Sequence, residues 1–381
     1  MFLYAKTRRI LVRQRILAIG FLLALGLLTL ELRNNLSIYR PSSRAANPGK
    51  MRREVRTHSQ ESLNETQTSH LVNPKHSRRN QNILLLSSMG RSGSSFLGGL
   101  LSSLPGVFYY FEPFYNFQQW GIHTQTLAVE SLKELYLCNY TGPVFKAVKA
   151  RGRKSFRHPY FNRCQARGPC FDPARLERVC SREPTRLVKT IRTRVSWLPP
   201  LLQDPDLNLR VVHVVRDPRA SVISNWKAGW NVSPKNLCNG LLNDLEYGPL
   251  LRKTLPNRYI AVRYEDLCAD PEKIAKIILQ FLGYRKLPPS TVGFLNRTTS
   301  KNDSLNDTYS LRRNSTEQQQ KWRHYIHNKE LTEIESSCSD AIRHLGFNLF
   351  GDIHVTRNLS FPLFNDSSVN ALFSYEDYAN V

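Results

Sequence analysis

Two short segments hold residues suited to gripping anions. The first, SSMGRSGSSF, runs from Ser87 to Phe96. Its glycines let the backbone turn tightly against a ligand. A helix beginning there would turn free N–H groups and the positive end of its dipole toward a phosphate or sulfate. Arg91 adds a fixed charge with a bidentate fork, and Ser92, Ser94 and Ser95 add hydroxyl donors. The second segment, RDPRASVIS, runs from Arg216 to Ser224 and sets a guanidinium eight positions before a hydroxyl. A third, Phe111-Glu112-Pro113, places a carboxylate among apolar neighbours, where burial would raise its pKa toward that of a working base. A two-part anion clamp and a base suit the transfer of a charged group, in which the protein positions reactants and stabilises moving charge. Each segment also has a plainer reading: a strand–turn–helix connection, an Arg–Asp surface pair, or an exposed strand-end glutamate.

Better-known phosphate motifs do not fit. A Walker loop would place Lys and then Ser or Thr after its second glycine, whereas Ser94 and Ser95 follow Gly93. The G-x-G-x-x-G dinucleotide pattern is absent. No histidine cluster has metal-ligand spacing, and no Cys-x-x-Cys pair occurs among the seven cysteines. No metal is expected.

The elements that must position these residues are strands ending just before them. Short apolar runs predict strands over Asn82–Ser87, Val107–Phe111, Arg186–Ile191, Arg210–Val215 and Tyr259–Val262. Helical patterns lie over Arg219–Lys227, Pro271–Leu282, Thr316–His327 and Leu331–Leu345. The alternation predicts an α/β domain with a parallel sheet flanked by helices, P-loop-like in that a phosphate turn follows the first strand. Ligands gather at the carboxyl ends of such strands, where Glu112, Lys189, Arg192 and Arg216 fall. Lys189 and Arg192 could serve donor or acceptor, or be a solvated pair. The basic run Lys146–Arg157 reads equally as an anionic-acceptor surface or a solvated loop. Glu265 and Asp266 read as a helix start, and Trp322 as packing.

The chain has 381 residues, 41% of them apolar, and 54 Lys and Arg against 30 Asp and Glu, for a net charge of +24. That surplus favours polyanionic partners without choosing among nucleic acid, anionic lipid and acidic glycans. The N-terminus narrows the choice. Cations at positions 6 to 15 precede an uncharged run from Ile16 to Leu30. Counted from Ile10 to Leu32, a helix would span about 34 Å, with Arg13 and Arg15 snorkelling to the interface. The expected organisation is a cytoplasmic tail (1–15), a transmembrane signal anchor (16–32), a disordered stem (33–80), a lumenal domain (81–350) and a C-terminal tail (351–381). Ten N-x-S/T sequons and seven cysteines, all beyond the anchor, suit an oxidising lumen, and this topology argues against a nucleic-acid partner. One thiol of the seven must be free or intermolecular.

The two anion segments together resemble the carbohydrate sulfotransferase superfamily. Further motifs resemble its Golgi galactose, N-acetylglucosamine and N-acetylgalactosamine 6-O-sulfotransferases: FYYFEP (Phe108–Pro113), LVKTIR (Leu187–Arg192), VRYEDL (Val262–Leu267), YSLRRNS (Tyr309–Ser315), KWR (Lys321–Arg323) and HLGF (His344–Phe347). They run in order from about Ile83 to Phe347. The sequence departs at Asn225, where the group often has Arg, and between Pro113 and Leu187. The resemblance implies a sulfotransferase fold and transfer of sulfate from PAPS (3'-phosphoadenosine-5'-phosphosulfate) to a sugar hydroxyl, 6-O by family habit. The acceptor would be a glycan or glycosaminoglycan, and the setting the Golgi membrane as a single-pass type II glycoprotein. It implies a 5'-phosphosulfate site at Arg91, Ser92, Gly93, Ser94, Ser95 and Phe96, and a 3'-phosphate site at Arg216 and Ser224. Arg313 would be a phosphate contact in a loop closing over the nucleotide, with Asn314 unglycosylated. Glu112 would be the general base and Arg91 would attend the leaving oxygen. Two other functions compete: a nucleotide-dependent kinase, which wants a Walker lysine and a Mg²⁺ carboxylate, and a non-catalytic glycan-binding membrane protein. The acceptor sugar, the disulfide pairing and the oligomeric state, a homodimer included, stay open.

Overall fold

The structure, a computed structural model, describes residues 80–164, 168–299, 315–365 and 371–376. The expected cytoplasmic tail, anchor and nearly all of the stem lie outside the described residues, as do Arg313 and Asn314. Among the described residues no helix is long and apolar enough to cross a membrane.

Five strands form one sheet: β1 (Gln81–Ser87), β2 (Val107–Phe111), β3 (Thr185–Thr190), β4 (Leu209–Val215) and β5 (Tyr259–Arg263). Their order across the sheet is β2-β3-β1-β4-β5, and every pairing is parallel. All five fall within a residue or two of the segments expected from the sequence. The reason is physical: a parallel sheet is covered on both faces, so its strands read as nearly unbroken apolar runs. In β1, Leu84 and Leu86 pack into one core with Phe108, Tyr110, Val188 and Val211. Ile83 and Leu85 pack into the other with Tyr109, Leu187, Val212 and Ile260. This is the two-residue alternation of a pleated strand, used on both sides.

Helices cover both faces. Pro218–Lys227, Pro271–Phe281 and Asn328–His344 lie close to expectation. The helix expected over Thr316–His327 is instead a short turn of helix, Ser315–Gln318, followed by a 3₁₀ turn, Lys321–His324. The 21-residue helix Pro234–Thr254 was not expected; Gly240, Gly248 and Pro249 interrupt its pattern. Disulfides join Cys138 to Cys180, Cys164 to Cys170, and Cys238 to Cys338. The seventh cysteine, Cys268, is free and buried, which leaves it poorly placed for an intermolecular bond.

The separate C-terminal tail expected from residue 351 is not what the described part shows. Buried Arg323 donates to the carbonyls of Thr356, Asn358 and Phe361, fastening that stretch to the domain. Leu372 and Phe373 are buried, and Arg252 donates to the Leu372 carbonyl. Tyr375 donates to Asp266, which also pairs with Arg263. These stretches complete the core, which no local pattern in a short irregular sequence announces.

Candidate active site

The carboxyl ends of the strands open into one cavity of about 520 Å³. After β1 the chain turns through Ser88–Gly93 into the helix Ser94–Ser102. Two residues of the turn are left-handed, Arg91 at φ 63° and Gly93 at φ 81°. Gly93 is required there, because the Tyr264 ring lies where any Cβ would go. Gly93 has no capping side chain, so the first N–H groups of the helix are free to meet a ligand. Gly93, Ser94, Ser95 and Phe96 all line the cavity. Ser92 does not: its hydroxyl is buried against that of Ser87, 2.5 Å away, so the expected donor is turned inward.

The second anion turn meets the first. Arg216, after β4, donates from Nη1 to the Arg91 carbonyl at 2.7 Å. Arg91 Nε donates to the Ser224 hydroxyl at 3.1 Å. Arg91, Arg216 and Ser224 all line the same cavity. Ser224 reaches it from the middle of the helix Pro218–Lys227 rather than its start. That helix is anchored beneath by buried Asp217 and Arg219, the latter also paired with Glu335. Tyr264, first residue after β5, stacks under the Arg216 guanidinium at 4.5 Å while its ring closes on Gly93. A single aromatic ring therefore braces both turns.

Glu112 follows β2. It is 4% exposed and left-handed, at φ 51°. Non-glycine residues are rarely found in that conformation. The register pairs Phe111 with Lys189 on β3, which brings the Lys189 ammonium to 2.5 Å from Glu112. Arg192 pairs with the other carboxylate oxygen, which also accepts from the Ile191 N–H at 3.4 Å. Burial alone would raise the Glu112 pKa, but the two cations together outweigh it and hold the carboxyl below its ordinary range. The expected upward shift is corrected in sign: Glu112 is buried as anticipated, but among charges rather than hydrocarbon. Lys189 and Arg192 are that carboxylate's partners, not a solvated pair.

The basic run Lys146–Arg157 resolves into a helix, Pro143–Arg151, and a 3₁₀ turn. Only Arg151 and Arg157 of the run line the cavity. Sequence reading also missed Tyr115, Lys227, Trp230 and Tyr264 in the wall. Nothing in their local sequence distinguishes them from packing residues. Trp322 is buried and packs under Arg219 as expected, though one edge reaches the wall. Glu265 and Asp266 do begin a helix, Tyr264–Ala269. Glu265 is fully buried and accepts from the Asp217 N–H, and burial with nearby Asp217 pushes its pKa up to about 8.

Of the charged residues in the wall, among the described residues, eight are Lys or Arg and one is a carboxylate, Glu112. Such a cavity is built for a multiply charged anion. Among the described residues no cluster of His, Cys, Asp and Glu is placed to hold a metal ion.

Comparison with known proteins agrees with this chemistry. The family model of the sulfotransferase domain matches residues 81–346. Carbohydrate sulfotransferase 3 of Mus musculus is 27% identical over 340 residues, covering 74% of this chain and 71% of the relative. Carbohydrate sulfotransferase 4 of Mus musculus is 28% identical over 357 residues, covering 79% and 90%. Among solved structures, mouse sulfotransferase SULT7A1 complexed with PAP is 13% identical over 70% of this chain and 85% of that one, with a TM-score of 0.39, too low a likeness to carry weight. The resemblance read from the motifs holds: the chain belongs to the sulfotransferase domain family, alongside carbohydrate sulfotransferases.

Proposed function

We propose that the chain transfers sulfate from PAPS to a sugar hydroxyl, the 6-hydroxyl by resemblance, on a glycan or glycosaminoglycan. The setting is the Golgi lumen, with a single N-terminal type II anchor. One observation carries the reading: the Arg91 and Arg216 turns touch each other and share a cavity with Glu112. A nucleotide phosphorylated at both 5' and 3' positions needs two anion sites on one wall and a base facing them.

The residues present fit that donor. The helix start from Gly93 to Phe96 offers backbone N–H groups to the 5'-phosphosulfate, with Arg91 beside the leaving oxygen. Arg216 and Ser224 offer a guanidinium and a hydroxyl to the 3'-phosphate. The acceptor oxygen attacks sulfur as the bond from sulfur to the 5'-phosphate oxygen breaks. The hydroxyl proton passes to Glu112, and the products are a sulfate ester and PAP. Glu112 is ionised before reaction, so it can accept. Its basicity is weak while Lys189 and Arg192 hold it, and rises if the arriving sulfuryl oxygens draw Lys189 toward themselves.

The kinase alternative is disfavoured by the wall. Among the described residues its one carboxylate, Glu112, is engaged by Lys189 and Arg192, whereas a kinase wants an acidic pair for Mg²⁺. A pure glycan binder would have no use for a buried carboxylate beside a two-turn anion clamp. The test is transfer of radiolabelled sulfate from PAPS, with ATP in parallel, to chondroitin, keratan and N-acetylglucosamine-terminated acceptors, followed by linkage analysis. Labelled product from PAPS with sulfate at the 6-hydroxyl supports the reading; phosphorylated product, or none from any acceptor, overturns it.

A further inference from the structure

The wall around Glu112 holds more positive charge than that carboxylate can answer. Lys189 and Arg192 occupy its two oxygens. Arg151 and Arg157 remain, and among the described residues neither pairs with a carboxylate. Both are held by aromatic faces and carbonyls instead. The Arg157 guanidinium lies 4.2 Å from the Phe111 ring centroid, with Nη1 donating to the Phe156 carbonyl at 2.9 Å. The Arg151 guanidinium lies 4.5 Å from the Tyr115 centroid, with Nη1 donating to the carbonyls of Phe111 and Glu112 at 3.0 and 2.9 Å. A guanidinium stacked on a ring keeps its edge donors for something else. Burial and the neighbouring Arg192 and Arg157 push the Arg151 pKa down, while Glu112 opposes them, so the charge is held there at a cost.

Two guanidiniums that line the cavity without a carboxylate partner among the described residues suit an anionic ligand, and their position says whose. The donor turns lie at the ends of β1 and β4, whereas Arg151 and Arg157 pack on Phe111 at the end of β2. Two strand spacings, about 10 Å, separate β2 from β1. Glu112 also follows β2, so an anion there sits on the base's side of the cavity, where the acceptor enters.

Resting on the function proposed above, we infer that Arg151 and Arg157 form an acceptor subsite for an anionic group, a carboxylate or sulfate ester, carried by the sugar chain near the hydroxyl that is sulfated. Neutral glycans would leave both arginines unanswered.

The test uses the full-length chain saturated with PAP, so that binding is read without transfer. Calorimetry compares three oligosaccharides of matched length: one bearing uronate but no sulfate, one bearing sulfate ester but no uronate, and one neutral. Removing a charge-assisted hydrogen bond should weaken binding by about tenfold or more. The expected result is that at least one anionic ligand binds at least about tenfold more tightly than the neutral one. Arg157→Gln should abolish most of that difference and Arg157→Lys should restore part of it. Arg157 is the cleaner site, since Arg151 also holds the Glu112 carbonyl. Whichever anionic ligand loses affinity in Arg157→Gln identifies the group. Equal binding of all three, or an Arg157→Gln variant that keeps the preference, overturns the inference. Failure of PAP itself to bind would instead overturn the donor assignment.

Discussion

Replacing Gly93 by Ala should damage stability and donor binding together, and the structure gives the size. A Cβ on Gly93 would lie 2.2 and 2.4 Å from two carbons of the Tyr264 ring. Carbon contacts settle at about 3.5–4.0 Å, so the ring must move by more than ~1 Å. It lies under the Arg216 guanidinium, which in turn donates to the Arg91 carbonyl. Displacing the ring therefore disturbs both anion turns. The left-handed conformation costs alanine ~1–2 kcal/mol. Forced repacking adds ~1–3 kcal/mol. A stiffer unfolded chain returns ~0.4–1 kcal/mol. The net is about 3 kcal/mol, which for a domain of this size lowers Tm by roughly 5 °C. Gly121 supplies the control: its φ is +68° but nothing lies within 4 Å of an added Cβ. Gly121→Ala should carry only the backbone term, ~1 kcal/mol and under about 2 °C. Differential scanning calorimetry reads the first quantity and PAP titration the second. Gly93→Ala should bind PAP at least about tenfold more weakly, with Gly121→Ala unchanged. If the two variants melt alike and bind PAP alike, the brace between Tyr264 and the two turns does not hold the donor site.

Three further outcomes follow from charge and covalent geometry. Because Lys189 and Arg192 hold the Glu112 carboxyl below its usual range, its basic form persists as pH falls. The pH profile of kcat/KM should show no loss from this group between about pH 7.5 and 5; an acid limb near pH 6 that disappears in Glu112→Gln would contradict that pairing. Glu265 is the reverse case, with a folded pKa near 8. The folded state then binds a proton the unfolded state has shed, so stability falls as pH rises from the unfolded carboxyl range through about 8. Glu265→Gln removes the penalty and should raise stability by roughly 3 kcal/mol at pH 7 but by under ~1 kcal/mol at pH 5. Equal effects at both pH values would refute it. The Cys238–Cys338 bond closes a loop with a separation of 100 residues; replacing both by Ser should cost about 4 kcal/mol in denaturant unfolding, and an unchanged midpoint would show that the helices Pro234–Thr254 and Asn328–His344 dock without it.

How much of this was legible in the sequence depends on whether a feature is local. The strands were, because burial on both faces leaves each as a continuous apolar run. The Gly93 turn was, because a left-handed bend into a helix demands glycine beside small polar residues. The inward rotation of Ser92 was not, since its partner Ser87 is chosen by the turn's own geometry. Nor was the state of Glu112. Its acidity depends on Lys189, 77 residues away in sequence. Nothing in FYYFEP says that β2 will pair with β3 in the register that joins them. Arg151 and Arg157 looked like two charges in a basic run; only the folded chain, with Arg151 at a helix end and Arg157 beyond the 3₁₀ turn, shows that these two line the cavity and their neighbours do not. The stretch from residue 351 seemed a tail because the residues that anchor its described parts, Arg252 and Arg323, lie in other elements.

The central claim is that one cavity clamps a doubly phosphorylated donor between the Arg91 and Arg216 turns and sets Glu112 against the acceptor hydroxyl. Its most direct measurement compares wild type with Glu112→Gln for PAP affinity and for sulfate transfer from PAPS to the best acceptor. Loss of a positioned base predicts transfer lower by at least about a hundredfold, with PAP affinity within about threefold of wild type. A variant that binds PAP normally and still transfers sulfate at near the wild-type rate would contradict the account.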